Sequence, residues 1–188
     1  MTFRESGLVF EFPPRHWVVK PFDRHPFYRV LSGRGFKGVD FIGLHNDEEL
    51  VCMEVKNYRR SVLSTESDWL AFLESERRVV EHKMEDTLQI VELINQYYRR
   101  KPFFRLLNPL FSRFPAFFSE WGFWSRAKDL SENIDKCRFV WWVDADFPTD
   151  EEFWQKLPES FPELPLPVTV CRPTLPNPLN IKVFAEET

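Results

Sequence analysis

The chain has 188 residues, 43% hydrophobic and 29% charged, with a formal net charge of −4. That length suits one domain with a substantial core, so residues 1–188 are expected to form a single unit. No apolar run is long enough to span a bilayer, and MTFRESGLVF lacks the basic, apolar, small-residue order of a secretory leader, so a cytoplasmic protein with no membrane partner is expected. Cys52, Cys137 and Cys171 are an odd number set in or beside apolar segments, which suits reduced buried thiols better than a disulfide framework or a zinc site. The acidic balance does not by itself suggest a nucleic-acid binder, because phosphate neutralisation wants a positive surface. The basic residues are nevertheless clustered, at Arg59 and Arg60, at Arg77 and Arg78, and in RRKPFFR from Arg99 to Arg105. A solvated surface explains most such clusters, and Arg59 and Arg60 are the best placed to meet a phosphate.

In chain order, Leu8 to Phe12 reads as a short strand ended by Pro13 and Pro14. Asp23 is placed to cap a helix through Leu31, with Pro26 tolerated in the first turn and Gly33 closing it. GRGFKG, Gly33 to Gly38, has the spacing of a dinucleotide-binding fingerprint in the wrong context, after a helix and before a strand. Its glycines are read as a helix stop and a tight entry to the next strand.

That strand belongs to VDFIGLHNDEELVCMEVKN, Val39 to Asn57, two apolar runs joined by a polar turn. With HNDEE as a loop symmetric about Asp47, antiparallel pairing sets Leu44 opposite Leu50, Ile42 opposite Cys52 and Asp40 opposite Glu54. Lys56 projects from the same face as Glu54, because side chains alternate along a strand. The other face holds Val39, Phe41, Val51, Met53 and Val55, so both faces of the hairpin are expected to be covered, as in the central sheet of an α/β protein. Two carboxylates opposed across a strand pair repel unless something cationic joins them. A structural ion pair with Lys56 is one solution; a divalent metal held by hard carboxylate oxygens, with the ammonium beside a phosphate, is the other.

Beyond the hairpin, Thr65 and Asp68 form a capping-box pattern opening a helix to about Arg100. Val80, Met84, Leu88, Val91, Ile94 and Tyr98 recur at helical spacing and define its core face, while Lys83 and Gln89 fall off that stripe and are read as solvated. The segment from about 102 to 126, rich in Phe and Pro, reads as a core-filling helical insertion; a homodimer surface is the second choice, ahead of a base-stacking platform or a greasy partner surface. CRFVWWVDADF, Cys137 to Phe147, is a strand ending in Asp144 and Asp146. Such an acid pair resembles the metal and sugar-nucleotide site of many glycosyltransferases, although turn and capping duties also explain it, with Thr149 placed to cap a helix through about Gln155. Leu166 to Cys171 is a further strand, and NIKVFAEET an edge strand or tail. His16, His25, His45 and His82 lack metal-ligand spacing.

Asp40 followed by Glu54, Val55 and Lys56 on adjoining strands resembles the PD-(D/E)XK nuclease superfamily. Its restriction-endonuclease-like core carries an acid on one strand and the acid, any residue, Lys triplet on the next. Val39 stands where that motif has proline, and Glu5 and Glu11 are the candidates for the family's frequent extra acidic ligand. The resemblance implies an α/β fold with a restriction-endonuclease-like central mixed sheet flanked by helices. It also implies Mg²⁺- or Mn²⁺-dependent hydrolysis of phosphodiesters in nucleic acid, DNA ahead of RNA. Asp40 and Glu54 would hold the metal, with the Val55 carbonyl as a further ligand. Lys56 would act on the attacking water or the phosphate, and Arg59, Arg60 and Asn57 would contact substrate. A noncatalytic nucleic-acid-binding or protein-interaction module on the same fold is the alternative.

Overall fold

The computed structural model describes residues 1–59, 65–102, 120–146, 151–160, 164–173 and 176–186. Their principal elements in chain order are β1 (Thr2–Glu5), β2 (Leu8–Glu11), β3 (Trp17–Pro21), α1 (Pro26–Ser32), β4 (Phe41–His45), β5 (Glu49–Asn57), α2 (Glu66–Arg99), α3 (Glu120–Ser131), β6 (Cys137–Asp144), α4 (Glu151–Lys156), β7 (Val168–Cys171) and β8 (Lys182–Ala185). The expected hairpin forms with the expected register, Leu44 opposite Leu50 and Ile42 opposite Cys52. Asn46 and Asp47 make its turn in the left-handed region, at φ of 52° and 59°, where their short polar side chains are better tolerated than most.

β3 to β7 pair in sequence order as one mixed sheet, antiparallel from β3 to β5 and parallel from β5 to β7. Alternation along β4 and β5 then sorts the side chains. Ile42, Leu44, Leu50 and Cys52 pack with Met84, Ile90, Val91 and Ile94 of α2 and with Phe123, Trp124 and Ala127 of α3. Phe41, Val51, Met53 and Val55 pack with Leu8 and Phe10 of β2, beside Val140 and Trp142 of β6. Among the described residues, helices therefore cover the mixed sheet on one face only. Its other face is covered by a second antiparallel sheet of order β1-β2-β8, because the two ends of the chain bring apolar residues, Leu8, Phe10, Leu179 and Ile181, to that side.

α2 begins as its sequence dictates. Thr65 Oγ1 accepts from the Asp68 N–H at 3.1 Å, and Asp68 Oδ2 accepts from the Thr65 N–H at 3.2 Å. α1 starts later than expected: His25, not Asp23, is the N-cap and makes no side-chain cap bond. Pro26, whose fixed φ is pre-set for the first helical position, determines that start. Gly33 ends α1 with a right-handed φ of −63°, and the left-handed residue is Gly35, at +96°. Of the aromatic segment, residues 103–119 lie outside those described, as does Thr149. Its C-terminal part forms α3, which buries Trp121, Phe123 and Trp124 as core.

Strand entry into β4 depends on one glycine. The Gly38 N–H donates to the Tyr28 hydroxyl at 3.1 Å, and a Cβ on Gly38 would lie 2.6 Å from the Tyr28 ring and 2.8 Å from that of Phe22. Gly38→Ala is expected to destabilise the protein by about 2 kcal/mol through overpacking, read as a lower urea midpoint at unchanged m-value.

Candidate active site

Glu54 continues the parity of Leu50 and Cys52, so it faces the helices from a strand flanked on both sides, and it is only 1% exposed. A carboxylate so placed needs partners. Lys83 of α2 brings its Nζ to 2.6 Å from Glu54 Oε1, and Lys56 brings its own to 3.3 Å from the same oxygen. Glu54 Oε2 is buried and has no hydrogen-bond partner among the described residues.

Asp40 sits one residue before β4, just past the last ladder pair, Phe41 and Met53, so the expected pairing of Asp40 with Glu54 is not formed. Its carbonyl accepts from the Phe22 N–H at 2.8 Å, its own N–H donates to the Met53 carbonyl at 3.0 Å, and its Oδ2 accepts from the Val55 N–H at 2.7 Å. Burial pushes the Asp40 carboxyl up to about 7, and the negative charge of Glu54 adds to the rise. The Val55 N–H and the Lys83 charge oppose that rise, while Glu5 reinforces it. Two carboxylates and two ammoniums thus share one end of the β4–β5 pair.

The same bonding takes Val39 away from its expected place. Regular pairing stops at Phe41, and the Val39 N–H donates to Thr87 Oγ1 of α2 at 3.2 Å. Val39 therefore packs on the helix side of the sheet, not with Phe41.

The other expected site residues surround this cluster with duties of their own. Asn57 Nδ2 donates to the Ser6 carbonyl at 3.0 Å, fastening the β1–β2 turn over the end of β5, and Asn57 Oδ1 accepts from the Arg59 N–H at 3.1 Å. The Arg59 guanidinium pairs with Asp144 Oδ2 at 2.8 Å, while Arg60 lies outside the described residues. Asp144 is buried and stands beside Asn57 in the parallel pairing of β5 and β6. The cluster therefore lies at the carboxyl ends of parallel strands, where open α/β sheets place their crevices. Val55, the suggested carbonyl ligand, lies beside Trp142 of β6. Glu5, the last residue of β1 beside the turn fastened by Asn57, acts on Asp40 through its charge; Glu11 pairs with Thr2 at the other end of that hairpin.

Sequence reasoning missed Lys83, reading it as solvated. Its signal was present: Lys83 follows Val80 by three positions and precedes Thr87 by four, and both of those are buried on α2. The cysteines behave as expected, free and buried, with burial pushing all three thiols up.

Among the described residues, no three His, Cys, Asp or Glu side chains are grouped to hold a metal, and no helix is long and apolar enough to cross a membrane. The donor set at the cluster is Asp40 and the unpartnered Glu54 Oε2. Two hard oxygen donors fit Mg²⁺ or Mn²⁺, since Mg²⁺ commonly takes one or two carboxylates and completes its shell with water and phosphate oxygens. Compared with known proteins, the chain matches no family model, no curated protein and no solved structure.

Proposed function

We propose that the protein is a metal-dependent nuclease of the PD-(D/E)XK type, with a restriction-endonuclease-like mixed sheet, hydrolysing phosphodiester bonds in nucleic acid, DNA ahead of RNA. One observation carries this reading: Asp40, Glu54 and Lys56 meet at one strand end, with a buried Glu54 oxygen that no group among the described residues satisfies. Asp40 and Glu54 Oε2 would hold Mg²⁺ or Mn²⁺. The bound ion supplies Lewis acidity toward the phosphate and lowers the pKa of water. Lys56, partly exposed beside that carboxylate, orients the attacking water or stabilises charge growing on the phosphate.

The test is incubation of the purified protein with single-stranded DNA, duplex DNA and RNA in Mg²⁺, Mn²⁺ or chelator. Cleavage is expected only with metal, and Lys56→Ala is expected to slow it by about a hundredfold or more. Cleavage that ignores both chelator and the substitution would overturn the assignment.

A noncatalytic binding module is favoured by a different fact: two lysines already neutralise the carboxylates without a metal. It predicts nucleic-acid or protein binding that survives Lys56→Ala, with no cleavage in any metal. The nucleotide-sugar transferase reading has less support, because the Asp144 carboxylate is buried and held by Arg59.

A further inference from the structure

Two lysines from different elements converge on one oxygen of Glu54, and the nearer one, Lys83 at 2.6 Å, is also the better shielded. Its side chain is 17% exposed against 29% for Lys56, which stands at 3.3 Å. Lys83 makes the short charge-assisted hydrogen bond to Oε1, while Lys56 makes only the longer ion pair to it. We infer that Lys83 is a positioning residue that anchors the Glu54 carboxylate through Oε1, leaving Lys56 loosely held and free to turn toward a phosphate oxygen. What Lys56 does once released rests on the nuclease reading; the hold of Lys83 on Glu54 does not.

Charge balance supports the division of labour. Counted as two carboxylates, Asp40 and Glu54 offset the charges of Lys56 and Lys83. A divalent cation then leaves a surplus of two positive charges. A phosphodiester and an attacking hydroxide together bring two negative ones, so four protein groups plus the metal match the reacting pair. Without Lys83 the surplus falls to one, and among the described residues Lys56 becomes the sole cation paired with the buried Glu54 carboxylate. It is then drawn onto Glu54 and withheld from the phosphate.

The experiment labels the protein with an amine-acylating reagent and follows Lys56 by peptide mass spectrometry in wild type, Lys83→Met and Lys83→Arg. Labelling of Lys56 in Lys83→Met is expected to be about two- to fivefold slower than in wild type, the scale of a partly exposed ion pair, and Lys83→Arg restores it. Steady-state kinetics should show kcat down about tenfold in Lys83→Met with KM for nucleic acid nearly unchanged. Unchanged or faster labelling of Lys56 would overturn the inference, since a merely structural lysine loosens its neighbours when removed. If Lys83→Met does not fold, Lys83→Gln, which keeps a neutral donor for Oε1, carries the same expectation. Slower labelling in a protein that cleaves nothing in any metal would sink the nuclease reading while leaving the anchoring role of Lys83 intact.

Discussion

Glu54→Gln is expected to reduce metal-dependent cleavage by at least about a thousandfold, the upper end of what one preorganised electrostatic element contributes. Glutamine keeps the shape and an acceptor for Lys83 but removes the charge that balances two ammoniums and that would hold a divalent ion under the proposed function. The same change is expected to lower stability by about 2 kcal/mol, below the usual cost of breaking a buried pair because both lysines reach solvent in part. The two losses separate the readings. A urea titration and a cleavage assay on the same preparation should both move; a lower unfolding midpoint with undiminished cleavage would leave Glu54 structural only.

The second large effect is a contribution of Asp40 to stability that falls as the pH rises. Asp40 binds its proton up to about pH 7 in the folded protein but only up to about 3.8 when unfolded. Between those values the folded state carries the extra proton at this site, so the part of the unfolding free energy that Asp40 supplies decreases with increasing pH and levels off above about 7. The span sets a ceiling of about 4 kcal/mol, and about 2 is expected once water reaching the partly exposed carboxyl is counted. Asp40→Asn keeps an acceptor for the Val55 N–H and has no charge to desolvate. It should therefore melt about 6 °C above wild type at pH 8 and match it near pH 4. Mg²⁺ or Mn²⁺ should act in the opposite sense, stabilising wild type most above pH 7, where the carboxylate is free to bind, and leaving Asp40→Asn nearly unaffected.

The parts of the fold readable in advance were those fixed by nearby residues. The β4–β5 register follows from HNDEE and flanking alternation, and the start of α2 from Thr65 and Asp68, because each is decided within a few positions. The strand β3 (WVVKP) escaped notice, since it is short, lies between PPRH and PFD, and pairs with β4 across a helix and a glycine-rich loop. β1 was missed for a similar reason, its side chains being only partly covered. At the site, Asp40, Glu54 and Lys56 were legible because one hairpin sets their spacing. Lys83 was not, because which flank of a long helix meets β5 is decided by packing of the whole helical layer. The same holds for the cover of the second sheet face, assembled from both ends of the chain.

The switch from antiparallel to parallel pairing at β5 bears on how the chain avoids sticking to itself. β4 reaches β5 through a turn of a few residues, but roughly eighty residues separate Asn57 from Cys137, the start of β6. Loop closure over that span is slow compared with closing a hairpin, so during folding β5 spends time as an edge strand with the apolar run LVCMEV unpaired on one side. Such an edge invites pairing with another chain, and inward-pointing charges are among the devices that blunt it. Glu54 and Lys56 are charges of that kind, placed in the strand of the five-stranded sheet that waits longest for its neighbour. Substituting both with apolar residues would leave an uninterrupted sticky segment, so two residues of the proposed site are also expected to keep the unfinished sheet from aggregating.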